Sequence, residues 1–375
     1  VQCSYFDAGL CRSCSLMGQP YAQQLADKQA HCENVVAAVG GAPAWLPPMA
    51  SAESGFRAKA KLAVGGSSEH PTLGILDREY RGVDLTDCGV HSEGIHAAIP
   101  DLAVFIARAG LTPYDVATRE GELKNILVTE NRDGELMVRF VLRSEAELPA
   151  LRAELPALRA HLPIRVASAN LLPAHIALLE GETEILLTDE ATLPMRSSGH
   201  TLHLGVRSFF QTNLAIADGL YAQAAQWVSA MPVRSAWDLY CGVGGFALAI
   251  ARPGVEMLGV ETSADAVASA ARSAADAQLA QVEFRAGDAT AFALASDGHP
   301  DLVIVNPPRR GLDAELCDWL EGSGVPNVIY SSCNPDTLAR DLARMPSLRA
   351  VEGRVFDMFP QTTHCEVMVR LERVQ

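Results

Sequence analysis

The chain predicts an α/β protein whose C-terminal part is a doubly wound, Rossmann-like domain, and three observations carry that reading. After Pro232, apolar strand-like runs alternate strictly with helical segments; the first run ends in a glycine-rich turn, and the second ends on a carboxylate. The runs are 235–240, 255–261, 282–287, 301–305, 325–330, 351–357 and 365–371. Helical segments separate the first five, and a short connection joins the last two. That order predicts a mostly parallel sheet closed by a terminal hairpin.

The first turn reads Asp238-Leu239-Tyr240-Cys241-Gly242-Val243-Gly244-Gly245-Phe246. Glycine at a strand end lets the backbone come close to a ligand, and Glu261, ending the next strand, can accept both hydroxyls of a ribose. The loop lacks the G-x-G-x-x-G spacing of dinucleotide sites, which favours S-adenosylmethionine over NAD. Ligands of such sheets sit beyond the carboxyl ends of the strands. The fourth strand runs out at Asn306-Pro307-Pro308-Arg309-Arg310-Gly311, so this loop should face the reacting group. Amino-group methyltransferases carry an aromatic after Asn-Pro-Pro. Arg309 stands there instead and argues against N-methylation.

The fifth strand stops at a thiol, in Ser331-Ser332-Cys333-Asn334-Pro335-Asp336. Asn334 is a good N-cap and Pro335 suits the first helical position, so Cys333 is expected at a helix N-terminus, where an anion is favoured and a thiol pKa falls. Asp336 pulls the other way. In His364-Cys365-Glu366, residues at i and i+2 share a face of the last strand, which brings His364 and Glu366 toward the same site.

The first half reads differently. Of nine cysteines, Cys3, Cys11 and Cys14 form a C-x7-C-x2-C pattern with Cys88 available as a fourth ligand. Four thiolates suit zinc or an iron–sulfur cluster, and the spacing excludes only the C-x3-C-x2-C triplet of radical-generating clusters. Cys32 falls in a helix over 23–39 and reads as core. A strand over 55–64 would set Arg57, Lys59 and Lys61 on one face as a phosphate track. Strands over 125–129, 136–142, 176–179 and 184–187, with helices over 95–109 and 145–161, the latter interrupted by Pro156, describe an α+β domain. Phe209 and Phe210 beside Gln211, ahead of a helix reaching about 230, could stack on and read a flat ring.

Three parts follow: a cysteine-rich segment and helix over 1–50, a central α+β domain over 51–205 that lends Cys88 to the metal site, and a catalytic domain over 206–375. The net charge of −15 excludes a general nucleic-acid binder, so RNA contact must rest on local basic clusters. No apolar run approaches the roughly 20 residues that span a bilayer, and the first residues show no signal-peptide pattern, which predicts no membrane association and a cytoplasmic location.

With these motifs together, the chain resembles the RNA uracil-5 methyltransferase family over almost its whole length. The motifs are Ser208-Phe209-Phe210-Gln211-Thr212-Asn213, the turn from Asp238 to Phe246, Asn306-Pro307-Pro308-Arg309, Ser331-Ser332-Cys333-Asn334 and His364-Cys365-Glu366. The resemblance implies Cys333 as nucleophile and Glu366 as base, with Gln211, Tyr240, Gly242, Glu261 and Asn306 lining the S-adenosylmethionine pocket. It implies a [4Fe-4S] cluster on Cys3, Cys11, Cys14 and Cys88; with an RNA substrate, the contacts expected are Arg57, Lys59, Lys61, Phe209, Phe210 and Arg309. The N-terminal cysteines point to the branch acting on 23S ribosomal RNA, at a uridine in an open loop, by a monomer without an obligate protein partner. Many members carry Asp-Pro-Pro-Arg where this chain has Asn306. Competing expectations are a transfer RNA uridine, cytosine-5 methylation, whose Pro-Cys pair is missing from the 306–310 loop, and an RNA-binding or iron–sulfur sensor on a vestigial fold.

Overall fold

The computed structural model describes residues 2–176 and 178–374. It divides into two compact units, one made of Val1–Met17 and Glu53–Leu193, the other of Gly18–Ala52 and Pro194–Gln375. The N-terminal stretch is therefore shared between units and is not a segment of its own. α1 (Ser4–Asp7) belongs to the first unit, whereas α2 (Tyr21–Ala38) and β1 (Ala44–Trp45) belong to the second. The reason is packing: Cys32 and Val36 of α2 are fully buried in the core of the C-terminal sheet, and β1 pairs with its edge.

The first unit is a seven-stranded sheet in the order β4-β3-β2-β5-β6-β7-β8. Its strands are β2 (Lys59–Gly66), β3 (Pro71–Leu76), β4 (Gly82–Asp84), β5 (Leu123–Glu130), β6 (Leu136–Leu142), β7 (Ile164–Leu171) and β8 (Thr183–Leu186). Its helices are α3 (Glu93–Ala109) and α4 (Leu148–His161). Leu62, Ile126, Val138 and Phe140 from the sheet meet Ile95, Ile99 and Leu102 of α3 and Leu151, Leu155 and Leu158 of α4. Pro156 does not interrupt α4: it lies on the exposed side, and the stripe Leu148, Leu151, Leu155, Leu158 holds the helix across it. The strand expected over 176–179 is also absent among the described residues. Ile176, Leu178 and Leu179 are exposed loop, Ala177 lies outside the described residues, and β7, which runs parallel to β6, takes that place in the sheet.

A hairpin, β9 (Thr192–Ser197) and β10 (His200–Gly205), leads to α5 (Leu214–Ser229). The second unit then alternates as the sequence predicts: β11 (Ser235–Leu239), α6 (Gly245–Ile250), β12 (Glu256–Glu261), α7 (Ala264–Asp276), β13 (Val282–Ala286), α8 (Ala289–Ala295), β14 (Leu302–Val305), α9 (Ala314–Gly322), β15 (Asn327–Ser332) and α10 (Pro335–Leu342). β16 (Leu348–Phe356) and β17 (Glu366–Arg373) close it. The strand order is β1-β16-β17-β15-β14-β11-β12-β13, parallel except for β17, which runs antiparallel to both neighbours. β14 is buried on both faces, as its unbroken apolar run requires. The order reverses between β11 and β14, and this switch point opens a crevice at the strand ends. No helix among the described residues is long and apolar enough to cross a membrane.

Candidate active site

At the end of β11 the chain turns through three left-handed residues, Tyr240 (φ 66°), Gly242 (φ 53°) and Gly244 (φ 85°). Tyr240 adopts this conformation against the usual cost of a side chain there, which marks the turn as a constrained site. A Cβ at Gly242 would stand in open space, whereas one at Gly244 would collide with Phe284, so the second glycine is needed for packing and the first leaves the crevice open. Glu261 ties the turn down: its Oε2 accepts the Gly242 amide at 3.2 Å and its Oε1 accepts the Ser263 amide at 2.9 Å. Asp238 is fully buried; one oxygen accepts the Ala247 amide at 2.9 Å and the other has no protein partner. Burial pushes this carboxyl up to about 7. Such an orphaned acceptor beneath an open glycine turn suits a bound polar ligand.

Gln211 and Asn306 add two half-buried amide side chains, neither with a hydrogen-bond partner among the described residues. Thr212, beside Gln211, keeps a buried hydroxyl that is also unpartnered. Asn306 begins the loop that leaves β14, and an unexpected residue braces that loop. Asp341, on α10, accepts the Leu312 amide at 2.8 Å and the Tyr330 hydroxyl at 2.6 Å, and its pairing with Arg340 leaves it 1 % exposed. Gly311 (φ 77°) is required here because a Cβ would strike Asp341. No local signal announces this role, since a carboxylate on an amphipathic helix is ordinarily solvated.

Cys333 follows β15 directly and precedes the cap Asn334, whose side chain accepts the Asp336 amide. β15 and β17 pair Ser331 with Met368 and Ser332 with Val367 at the end of the ladder, so Cys333, the next residue, follows where β17 begins with Glu366. Glu366 is 1 % exposed and its Oε1 accepts the Ser331 hydroxyl at 2.7 Å. Burial raises the carboxyl to about 7, with the Ser331 bond pulling it down. The thiol is not lowered as expected. Burial first, then the Glu366 carboxylate, push Cys333 up to about 11, and Arg309 opposes them without prevailing. The helix N-terminus is partly spent on Asn334, so its amides do not rescue the thiolate.

Arg309 lies with Nη2 2.8 Å from Nδ1 of His364, which is held below its usual range by burial and by the charges of Arg309 and Lys28 and so accepts as the neutral ring. Phe209 and Phe210 part company: the first is 72 % exposed, the second 7 % and part of the packing. Phe210 is thus removed from the base-stacking set. Alternate apolar side chains fill their interior positions, so the larger aromatic signal alone could not tell the two apart.

In the first unit, Ala58, Ala60 and Leu62 point inward and the cations alternate away from them. Of the three, only Lys61 is exposed. Lys59 is pulled in, and burial with Lys61 and Arg139 nearby lowers it to about 8. Arg57 turns back to donate to the Lys59 carbonyl at 3.0 Å and lies beside Cys14 and Cys88. The open three-cation track is therefore reduced to Lys61. The four N-terminal-unit thiols feel one another electrostatically: burial, then Cys88, Cys11 and Cys3, push Cys14 up to about 11, and Cys88 is raised by burial and by Cys11 and Cys3. The Tyr5 hydroxyl accepts the Asp87 amide at 3.0 Å and pins the first turn to the Cys88 loop. Among the described residues no three metal-ligating side chains close on a single ion. Four thiols are by their chemistry a donor set for zinc or for an iron–sulfur cluster.

Fold and site together define a doubly wound methyltransferase. Residues 188–374 match the family model described as tRNA (uracil-5-)-methyltransferase. The chain is 47 % identical over 375 residues, covering all of both chains, to the protein named 23S rRNA (uracil(747)-C(5))-methyltransferase RlmC from Pectobacterium atrosepticum. It is 48 % identical over 373 residues, 99 % of each chain, to the protein of that name from Yersinia pseudotuberculosis. Among solved structures, the tRNA (uracil-54, C5)-methyltransferase of Pyrococcus abyssi, in complex with S-adenosyl-L-homocysteine, shares the fold at TM-score 0.81 and 24 % identity, over 96 % of this chain and 85 % of that one. The chain belongs to the RNA uracil-5 methyltransferase family and is an enzyme of that class.

Proposed function

We propose that this protein transfers the methyl group of S-adenosylmethionine to carbon 5 of a uridine in 23S ribosomal RNA, at the position equivalent to uridine 747. The observation that carries the reading is the Cys333 thiol near enough to the buried Glu366 carboxyl to be raised by its charge, at the end of β15 where β17 begins. The relatives' name supplies the RNA.

Carbon 5 of uracil is a weak nucleophile and must be activated. Cys333 adds through sulfur to carbon 6, which moves the electron pair into an enolate and makes carbon 5 attack the donor methyl. Glu366 then takes the carbon 5 proton, the C5–C6 double bond re-forms, and the C6–S bond breaks to return Cys333. S-adenosylmethionine supplies an electrophilic methyl on a positively charged sulfonium. Gln211, Tyr240, Gly242, Glu261 and Asn306 would hold it, with Glu261 able to accept ribose hydroxyls and the two unpartnered amides available to its polar groups. With the thiol raised to about 11, Arg309 is the protein group whose charge favours thiolate during attack. Taking the uridine out of its stack costs a few kcal/mol unless it lies in an open loop. Phe209, fully available to a base, offsets this by stacking, and Lys61 reaches a phosphate.

The mutually interacting thiols of Cys3, Cys11, Cys14 and Cys88 are proposed to hold a [4Fe-4S] cluster that orders the N-terminal turn beside Arg57. Cys11→Ala is expected to lose iron by metal analysis, lower the thermal midpoint and weaken RNA binding. Full stability and unchanged RNA affinity in that variant would sink the structural role.

The substrate is tested by incubating anaerobically purified protein with S-adenosylmethionine and unmodified 23S or transfer RNA, then mapping 5-methyluridine by nuclease digestion and mass spectrometry. A single modified site in 23S RNA is expected. Modification of transfer RNA alone would keep the chemistry and overturn the RNA assignment.

A further inference from the structure

α2 carries a stripe of buried residues, Gln24, Lys28, Cys32 and Val36, at a spacing of four, and its first three members face one irregular segment, the stretch from Asp357 to Cys365 that delivers the chain to Glu366. Each pair is explicit. Gln24 and Gln361 exchange two bonds: the Gln24 amide donates to Gln361 Oε1 at 2.9 Å and the Gln361 backbone amide donates to Gln24 Oε1 at 3.0 Å. Gln361 needs that support because it is left-handed at φ 64°. Lys28 Nζ lies 2.6 Å from Asp357 Oδ1 and donates to the Phe359 carbonyl at 3.1 Å, with lysine and aspartate side chains 3 % and 0 % exposed. Cys32 and Cys365 bring their sulfurs to 3.8 Å.

The same helix reaches a second site loop. The Tyr21 hydroxyl donates to Asp357 Oδ2 at 2.8 Å and accepts the Ser51 amide at 2.8 Å. Ser51 Oγ accepts from Asn213 Nδ2 at 2.7 Å, and Asn213 caps α5 two residues after Gln211. A continuous polar chain thus ties the segment before Glu366 to the Gln211 loop through one helix.

A buried ion pair and a buried amide pair are poor sources of stability, since apolar residues of the same volume would serve as well or better. What they supply is geometry: fixed partners for the carbonyls and amides of a segment that has no ladder of its own. We infer that Lys28 and Tyr21 are positioning residues for the proton-abstraction step, acting through Asp357 to set Glu366 against carbon 5 of the target base. The inference rests on the covalent reading above and adds to it a specific step.

That step leaves a signature that a loss of fold does not. If Glu366 is displaced, attack and methyl transfer proceed but elimination slows, so the methylated C6–S adduct builds up. The test uses the full-length protein with S-adenosylmethionine and ordinary uridine-containing 23S RNA, run on a denaturing gel beside steady-state kinetics. Lys28→Met is the severe variant. Tyr21→Phe keeps the shape and removes only the bridging hydroxyl, so it guards against misfolding. Both are expected to lower kcat, Tyr21→Phe by roughly tenfold, with KM for RNA little changed and covalent protein–RNA adduct detectable. Folded Tyr21→Phe and Lys28→Met proteins that turn over normally would overturn the inference, as would reduced turnover without adduct while Glu366→Gln traps it. If Glu366→Gln gives no adduct either, the covalent reading itself has failed and this inference falls with it.

Discussion

Cys333→Ala should abolish methylation, with kcat/KM reduced by at least roughly 10⁴-fold, while S-adenosylmethionine still binds. The size follows from the chemistry. Without sulfur at carbon 6 there is no enolate, and nothing else beside the thiol can replace it: Glu366 is a weak carbon nucleophile and Ser331 is occupied with Glu366. Stability should change little, because the side chain is small, only half-buried and carries no hydrogen bond on which the fold depends. The test is transfer of labelled methyl to RNA together with a thermal melt and an S-adenosylmethionine titration. Methylation near the normal rate in a folded Cys333→Ala protein would remove the covalent mechanism.

The raised thiol also fixes a pH direction. With Cys333 near 11 and Glu366 near 7 in the free protein, both attack and proton abstraction gain from deprotonation. Their rates should rise from pH 6 to pH 9.

The second unit was readable because its signals are local. Alternating runs and a glycine turn report on their own immediate geometry, and the order of strands follows once crossovers are right-handed. Cys333, Glu366 and the glycine turn are singled out by such local motifs, and the pairing of β15 with β17 then brings Ser331, two residues before Cys333, onto Glu366. What the sequence hid depended on partners distant along the chain. Nothing near Lys28 announces Asp357, and a helix following a cysteine-rich stretch reads as part of it until Cys32 and Val36 are seen in the core of the C-terminal sheet. Phe209 and Phe210 carry identical side chains, and only packing separates them. The thiol shift failed for a related reason: the helix N-terminus is a local feature, whereas the carboxylate that opposes it arrives from a strand 33 residues away in the chain, from Cys333 to Glu366. Pro156 shows the reverse case, where a strong local breaker is overridden by a buried leucine stripe.

Glu366→Gln should separate the steps that Cys333→Ala removes together. The amide keeps the shape and can still bond Ser331, so binding, sulfur addition and methyl transfer survive, but no base takes the carbon 5 proton. The expected product is a methylated covalent protein–RNA complex, stable to denaturing gel and mass spectrometry, with multiple turnover reduced by at least about 10²-fold. The same substitution has a signed effect on stability. Glu366 is raised from 4.5 to about 7, so between those values the folded state binds more protons than the unfolded, and stability falls as pH rises through that window. Above pH 7 the wild type holds a buried carboxylate that accepts from the Ser331 hydroxyl, whereas the glutamine holds none of that charge. Glu366→Gln should therefore melt at or above the wild-type temperature at pH 8 and show less decline between pH 5 and pH 8. A variant that is inactive, traps no adduct and melts lower at pH 8 would place Glu366 in the scaffold and leave the proton to another acceptor, for which His364, lowered by burial and by Arg309 and two residues before Glu366, is a candidate.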